Sequence, residues 1–283
     1  MRLSRRTGAY LLLGAALMAE VGCAGGSSRS RELAYVERPV ETIYSEATKS
    51  LDRHVWEQAA AQFDEVQRQH PYSPWAQRAM LMAAYARYRR GGTEGYEKAQ
   101  ASASEYITLH PGGEGAPYAY YLIAVCHFDQ ILDVGREQAR AELALAALNE
   151  VIARFPESEY ARDAELKRDM VKDQLAGKEM EIGRYYLKRS EHLAAINRFK
   201  TVIAKYDTTS HAPEALYRLV ESYLSVGLIG QAQQTAAVLG FNYPGTDWYA
   251  DAYALMQGQG VQLAERPNSK AGFNMFDRIW KAF

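Results

Sequence analysis

What constrains this chain most is a pattern of small residues closed by proline, and the pattern recurs along most of its length. Tyr44, Ala47 and Leu51 fall three and four residues apart, so they share one face of a helix. Ala59, Phe63 and Val66 do the same on a second helix, with Arg53 and His54 between the two. Pro71 ends the pair, since its ring removes an N–H and clashes with the preceding turn. Small side chains at Ala47 and Ala59 let the two helices approach closely. The spacing returns as Ala99, Tyr106 and Pro111, then as Ala144, Leu148, Val151 and Pro156. It returns again as Ala232, Ala236, Leu239 and Pro244, with Gly227 at the preceding turn. Ala195, Phe199 and Val202 run instead to Asp207, where the proline is missing. The matching first helices carry Ala84 and Tyr88, Ala124 and Phe128, Gly183 and Leu187, and Val220 and Leu224.

This arrangement resembles the tetratricopeptide (TPR) repeat. One helix pair cannot bury its own apolar face, so such repeats are stable only when stacked. The expected fold is therefore all-α, an α-solenoid of about five TPR-like helix–turn–helix repeats and about ten helices. The repeats are placed at about 39–71, 74–111, 117–156, 178–207 and 212–244, with a closing helix over 246–257. Pro39 is expected to open the first helix, a position that suits its fixed φ. The stretches Gly91–Gly95 and Asp129–Glu137 read as lengthened turns. Ser158 is a good N-cap for a long helix ending near Gly177, with the next helix from Lys178 to Lys188. The tail 258–283 reads as mobile or partly helical, Phe273–Phe283 having the spacing of a short amphipathic helix.

Composition narrows the function. Hydrophobic residues at 48% and charged residues at 24% suit a folded body. A net charge of −1 argues against a nucleic-acid partner. Two cysteines, Cys23 and Cys126, exclude a disulfide framework and a thiolate metal site. Cys126 lies among Leu122, Val125 and Phe128, where a buried, inert thiol is expected. The six histidines form no His-Glu-x-x-His, and His127 and Asp129 share no helical face. Gly258-Gln259-Gly260 lacks the third glycine and the strand of a dinucleotide loop, and no phosphate-binding loop is present. Glu165, Asp169 and Asp173 alternate with Lys167, Arg168 and Lys172, as on a solvated face. A peptidoglycan-acting enzyme would need an acid–base or nucleophile pair, which this sequence does not offer. The reading is of a chain that is no enzyme and takes no cofactor.

The N-terminus is an address. Arg2, Arg5 and Arg6 precede an apolar run from Ala9 to Ala19, followed by Val21, Gly22 and Cys23, the layout of a secretory signal. The run is about half the roughly 20 residues that a membrane span needs. Gly22-Cys23 resembles a bacterial lipoprotein lipobox, in which Cys23 becomes the acylated first residue, although Glu20 stands where that pattern prefers Leu. A plain signal peptide with a coincidental cysteine is the alternative. Residues 1–22 are thus read as a lipoprotein signal peptide and 23–38 as the lipidated cysteine and a flexible tether rich in Gly and Ser. Ala24, in place of the Asp linked to inner-membrane retention, directs the anchor to the periplasmic leaflet of the outer membrane.

Three stretches carry a family resemblance. They are Tyr44 through Ala59 and Phe63 to His70-Pro71-Tyr72-Ser73-Pro74; Phe155-Pro156-Glu157-Ser158 to Ala164; and Tyr185-Tyr186-Leu187-Lys188-Arg189 with Ala194-Ala195-Ile196-Asn197-Arg198-Phe199. Together they resemble the BamD/ComL family of TPR lipoproteins of the outer-membrane β-barrel assembly (BAM) machine, from about Pro39 to Pro244. The resemblance implies a scaffold that binds a POTRA domain of BamA and other BAM lipoproteins, and that receives the C-terminal signal of unfolded outer-membrane proteins. It places Arg198 on the BamA side, and with it Arg184, Lys188 and Asn197. Another periplasmic TPR lipoprotein scaffold, of the cell envelope or a secretion system, is the alternative.

A groove can be argued from the repeats themselves. With Ala47, Ala84 and Ala124 as close-packing positions, the outward positions of the first helices become Tyr44, Thr48, Asp52, Arg78, Tyr85, Arg89, Tyr118 and Tyr121. An extended β-barrel end strand offers alternating aromatic side chains and a terminal carboxylate. Tyrosine rings could accept the former, and Arg78 or Arg89 the latter. Each tyrosine could equally be packing between repeats, and both readings stand at this point.

Overall fold

The structure, a computed structural model, describes residues 37–134, 136 and 138–260. The signal peptide, Cys23, the tether up to residue 36 and the tail from residue 261 lie outside them. The described residues form eleven α-helices and no strand. They run α1 (Val40–Asp52), α2 (Trp56–Gln69), α3 (Pro74–Arg90), α4 (Gly92–Leu109), α5 (Ala116–Phe128), α6 (Ala139–Arg154), α7 (Glu159–Lys188), α8 (His192–Lys205), α9 (Ala212–Ser225), α10 (Ile229–Asn242) and α11 (Asp247–Gly258). Each helix packs on the next, and α11 closes the series against α9 and α10. The fold is an all-α array of TPR-like hairpins, with α1, α3, α5, α7 and α9 as first helices.

The second helices explain the repeat residue by residue. Ala59, Ala99, Ala144, Ala195 and Ala232 are all fully buried, and at each a small side chain permits close helix approach. Four and seven residues further along come the pairs Phe63–Val66, Ala103–Tyr106, Leu148–Val151, Phe199–Val202 and Ala236–Leu239, each at most 1% exposed. Where the first member is an alanine, the second is Tyr106 or Leu239, each larger than the valine of the other three pairs. The first helices are shared between successive cores. Ala79, Ala83 and Ala86 of α3 face α1 and α2, while Met80 and Ala84 face α4 and α5. A hairpin standing alone would leave half of this surface in water.

The joints between repeats are equally regular. His70, His110, Phe155, Tyr206 and Tyr243 each end a second helix with φ between −131° and −135°. The carbonyl of each accepts an N–H three residues on, at 3.0–3.2 Å. Tyr206 does so although Asp207 replaces the proline, so ring packing and this hydrogen bond fix the joint without it. Within the hairpins the chain turns through a left-handed residue: His54 (φ 61°), Gly91 (φ 71°), Ser190 (φ 60°) and Gly227 (φ 76°). Only the hairpin α5–α6 has a long connection instead, as expected for 129–137.

Two expectations are corrected. The turn expected over Gly91–Gly95 shrinks to Gly91, and Gly95 lies inside α4. A methyl at Gly95 would come 2.9 Å from the Arg87 carbonyl, so this glycine serves a close helix crossing. The helix expected to end near Gly177, with a new one from Lys178, is a single 30-residue helix, α7. Ser158 caps it, its side chain accepting from the Ala161 N–H. Gly177 is buried, with His211 Nε2 3.2 Å from where its Cβ would stand. It is there for packing and not as a stop.

Candidate peptide-binding face

The outward residues of the first helices fall into two groups. In the first, Arg78 and Tyr118 line one groove of about 570 Å³ between α3 and α5, with Leu81, Met82, Glu114 and Tyr160. Tyr118 packs on Tyr160 at 5.6 Å between ring centroids, and burial holds its hydroxyl well above the usual phenol range. Arg78 is exposed and has no hydrogen bond or ion pair with any described residue. Its field reaches Tyr44, whose hydroxyl is raised by burial and lowered in part by Arg78. Tyr44 packs between repeats, 5.2 Å from Phe63 and 4.8 Å from Trp75. Thr48 spends its hydroxyl on the Tyr44 carbonyl at 3.0 Å, and Asp52 is exposed at the end of α1.

The second group lies toward the C-terminal end of α3. Arg89 Nη1 donates to the Tyr85 hydroxyl at 2.7 Å, and the guanidinium lies 5.1 Å from the centre of the Trp56 ring. Its charge is thus spread over aromatic faces. Tyr121 is not open: its hydroxyl donates to the Asp163 carboxylate of α7, and its ring packs on Tyr160 at 5.3 Å. Tyr88 does the same one repeat earlier, donating to Asp129 at 2.7 Å. These tyrosines tie each first helix to the one after it.

On the C-terminal side, Arg184 makes a two-pronged pair with Glu214 of α9, at 2.9 and 2.7 Å. Arg198 of α8 reaches back to Glu179 of α7 at 3.2 Å. Lys188 and Asn197 are exposed, and the Lys188 ammonium has no partner among the described residues. The four therefore divide into two held guanidinia and two open side chains. Cys126, in the core beneath Leu81, Tyr88 and Tyr118, is fully buried, and burial with the nearby Asp129 carboxylate pushes its thiol up to about 12. That is the inert thiol expected.

The outer membrane lipoprotein family YfiO matches residues 36–239. The outer membrane protein assembly factor BamD of Caulobacter vibrioides is 53% identical over 260 residues, covering 91% of this chain and 84% of that protein. The chain belongs to the BamD family. The BamD proteins of Rickettsia prowazekii and Neisseria meningitidis serogroup A are 40% and 30% identical, over 91% and 76% of this chain and 98% and 83% of their own lengths. The stretch matched by the family contains both groups of first-helix residues and the α7–α8 side. Sequence reasoning in terms of BamD-like repeats missed Tyr160, Trp75 and Trp56, all three packed against residues it did name. Tyr160 was hidden because it stands in the first turn after the Ser158 cap, ahead of every position that the small-residue pattern marks. Trp75 and Trp56 stand at the first turns of α3 and α2, where the small-residue pattern says nothing about which way a ring turns.

Proposed function

We propose that this member of the BamD family is a non-enzymatic TPR scaffold for outer-membrane protein assembly, tethered to the periplasmic leaflet of the outer membrane by lipid on Cys23. Its first-helix face receives the C-terminal signal of unfolded outer-membrane proteins. Its α7–α8 side docks a POTRA domain of BamA, beside other lipoproteins of the complex. Arg78 is the observation that carries the peptide reading. An exposed guanidinium without an internal partner stands over Tyr118, Tyr160, Leu81 and Met82, which suits an aromatic residue next to a carboxylate. Arg89 is the weaker anchor, because Tyr85 and Trp56 already engage it.

Fluorescence anisotropy with a labelled peptide ending in a free-acid phenylalanine tests the groove. Arg78→Ala is expected to weaken binding about tenfold, in line with roughly 1.5 kcal/mol for a charge-assisted hydrogen bond. The C-terminal amide of the same peptide should bind both proteins alike. Equal loss of acid and amide, or no loss, would overturn the assignment. For the partner side, Lys188→Glu with Asn197→Glu should reduce capture of purified BamA POTRA domains and leave peptide affinity unchanged. Wild-type protein that captures no BamA would favour a scaffold of another envelope machine.

A further inference from the structure

The groove between α3 and α5 carries two charges of opposite sign. Arg78 and Glu114 are the charged residues of its lining, beside Gln77, Leu81, Tyr118 and Tyr160. Glu114, like Arg78, is exposed and has no hydrogen bond or ion pair with any described residue. Its place is fixed by its neighbours in the chain. The joint His110–Gly115 is two residues longer than the joints His70–Ser73, Phe155–Ser158 and Tyr243–Thr246. A glycine stands on either side of Glu114. A methyl at Gly113 would come 2.7 Å from the Tyr106 hydroxyl oxygen, and one at Gly115 would come 2.8 Å from it and overlap Leu81. The Gly115 N–H donates to that hydroxyl at 3.2 Å, and Tyr106 is 1% exposed. The backbone around Glu114 is therefore pinned against a buried ring, which sets this carboxylate at the rim of the groove that holds Arg78.

We propose that Glu114 makes this groove selective for peptide ends that carry a lysine or arginine two residues before the terminal aromatic. The inference rests on the reading of the groove as a peptide site. With the peptide's terminal carboxylate on Arg78 and its last ring against Tyr118 and Tyr160, the Glu114 carboxylate is a second negative charge beside the peptide's own. Like charges brought together in one interface repel. A peptide that brings a cation removes the repulsion and pairs with Glu114. The position of that cation follows from strand geometry. Side chains of an extended chain alternate between two faces, so the third residue from the end shares the groove with the last, about 7 Å along the chain, while the penultimate one turns away. A long basic side chain can lay its methylenes on the apolar wall and keep its charge at the rim, where Glu114 stands. Arg78 thus reads the end of the peptide, and Glu114 reads the charge of the residue that shares its face.

Three labelled peptides, compared by fluorescence anisotropy, test the selectivity. All end in a free-acid phenylalanine and differ only at the third residue from the end, which is Lys, Gln or Glu. The wild-type protein should bind the Lys peptide about fivefold more tightly than the Gln peptide, the range of a solvated ion pair, and the Glu peptide most weakly. The preference should shrink with added salt. Glu114→Gln should erase it without loss of affinity for the Gln peptide, and Glu114→Lys should reverse the order. Glu114 is exposed, so neither substitution disturbs the core. Equal binding of all three peptides to the wild-type protein would overturn the selectivity and leave the groove standing. A preference that survives Glu114→Gln, or the same gain from Lys at the penultimate position, would overturn it as well. Failure of every peptide to bind would defeat the groove reading itself, and this inference with it.

Discussion

Arg184, expected on the partner side, also ties two helices of its own chain together. Its guanidinium grips Glu214, whose side chain is 13% exposed, and Arg218 adds to the field from the same side. Burial alone would raise the Glu214 carboxyl; Arg184 and then Arg218 more than reverse that and hold it below its ordinary 4.5. A carboxyl depressed in the folded chain contributes stability that is complete above its unfolded value and disappears as pH falls through the folded one. Arg184→Ala should therefore cost about 1–2 kcal/mol at pH 7, the range for a half-exposed charged hydrogen bond. The cost should fade below about pH 4.5 as Glu214 takes up its proton. Urea titrations at pH 7 and pH 3 measure this, and an equal loss at both would exclude the charge as its source. Lys188, which has no such structural duty, is the cleaner probe of a partner surface.

Among the helices, contact between α7 and α8 depends on an absent side chain. At Gly183 a methyl would come 2.4 Å from Phe199 Cε1, and Phe199 is fully buried. Gly183→Ala gains about 1 kcal/mol of helix propensity but overpacks a ring that cannot retreat, at about 1–3 kcal/mol or more. The variant is expected to melt lower than the parent by differential scanning calorimetry, the opposite of the usual glycine-to-alanine outcome. This glycine was legible in the sequence as a small position, because it falls in register with Ala47, Ala84 and Ala124. Gly177 was not, because a glycine after a helical run reads equally as a stop or as a contact. Only the neighbours decide, and His211 and Val134 are far from it in the chain. The same limit applies to the candidate groove. Outward positions such as Arg78 and Tyr118 followed from spacing, but which tyrosine stays open depends on partners like Asp163 that lie one repeat away.

Across the whole array, α7 joins two bodies of core. Its Ala164, Val171 and Leu175 pack with α5 and α6, while its Ala176 and Met180 pack with α8 to α11. Stacked repeats are coupled only through neighbours, so this one helix carries much of the coupling between the two ends. Gly177→Pro would remove its hydrogen bond to the Asp173 carbonyl and crowd the preceding turn. Urea unfolding followed by circular dichroism should then split from one transition into two, whereas a proline at the exposed start of α11 should leave one. The joints have a different consequence. His70, His110, Phe155, Tyr206 and Tyr243 give the backbone one exit direction, with or without a proline behind them. A coupling of uniform pitch is interchangeable: a hairpin can be spliced out between two of these rings, or another spliced in, and the downstream chain still leaves along the same heading. Gene duplication can therefore lengthen or shorten such a protein in whole steps, with no bespoke connector to invent each time.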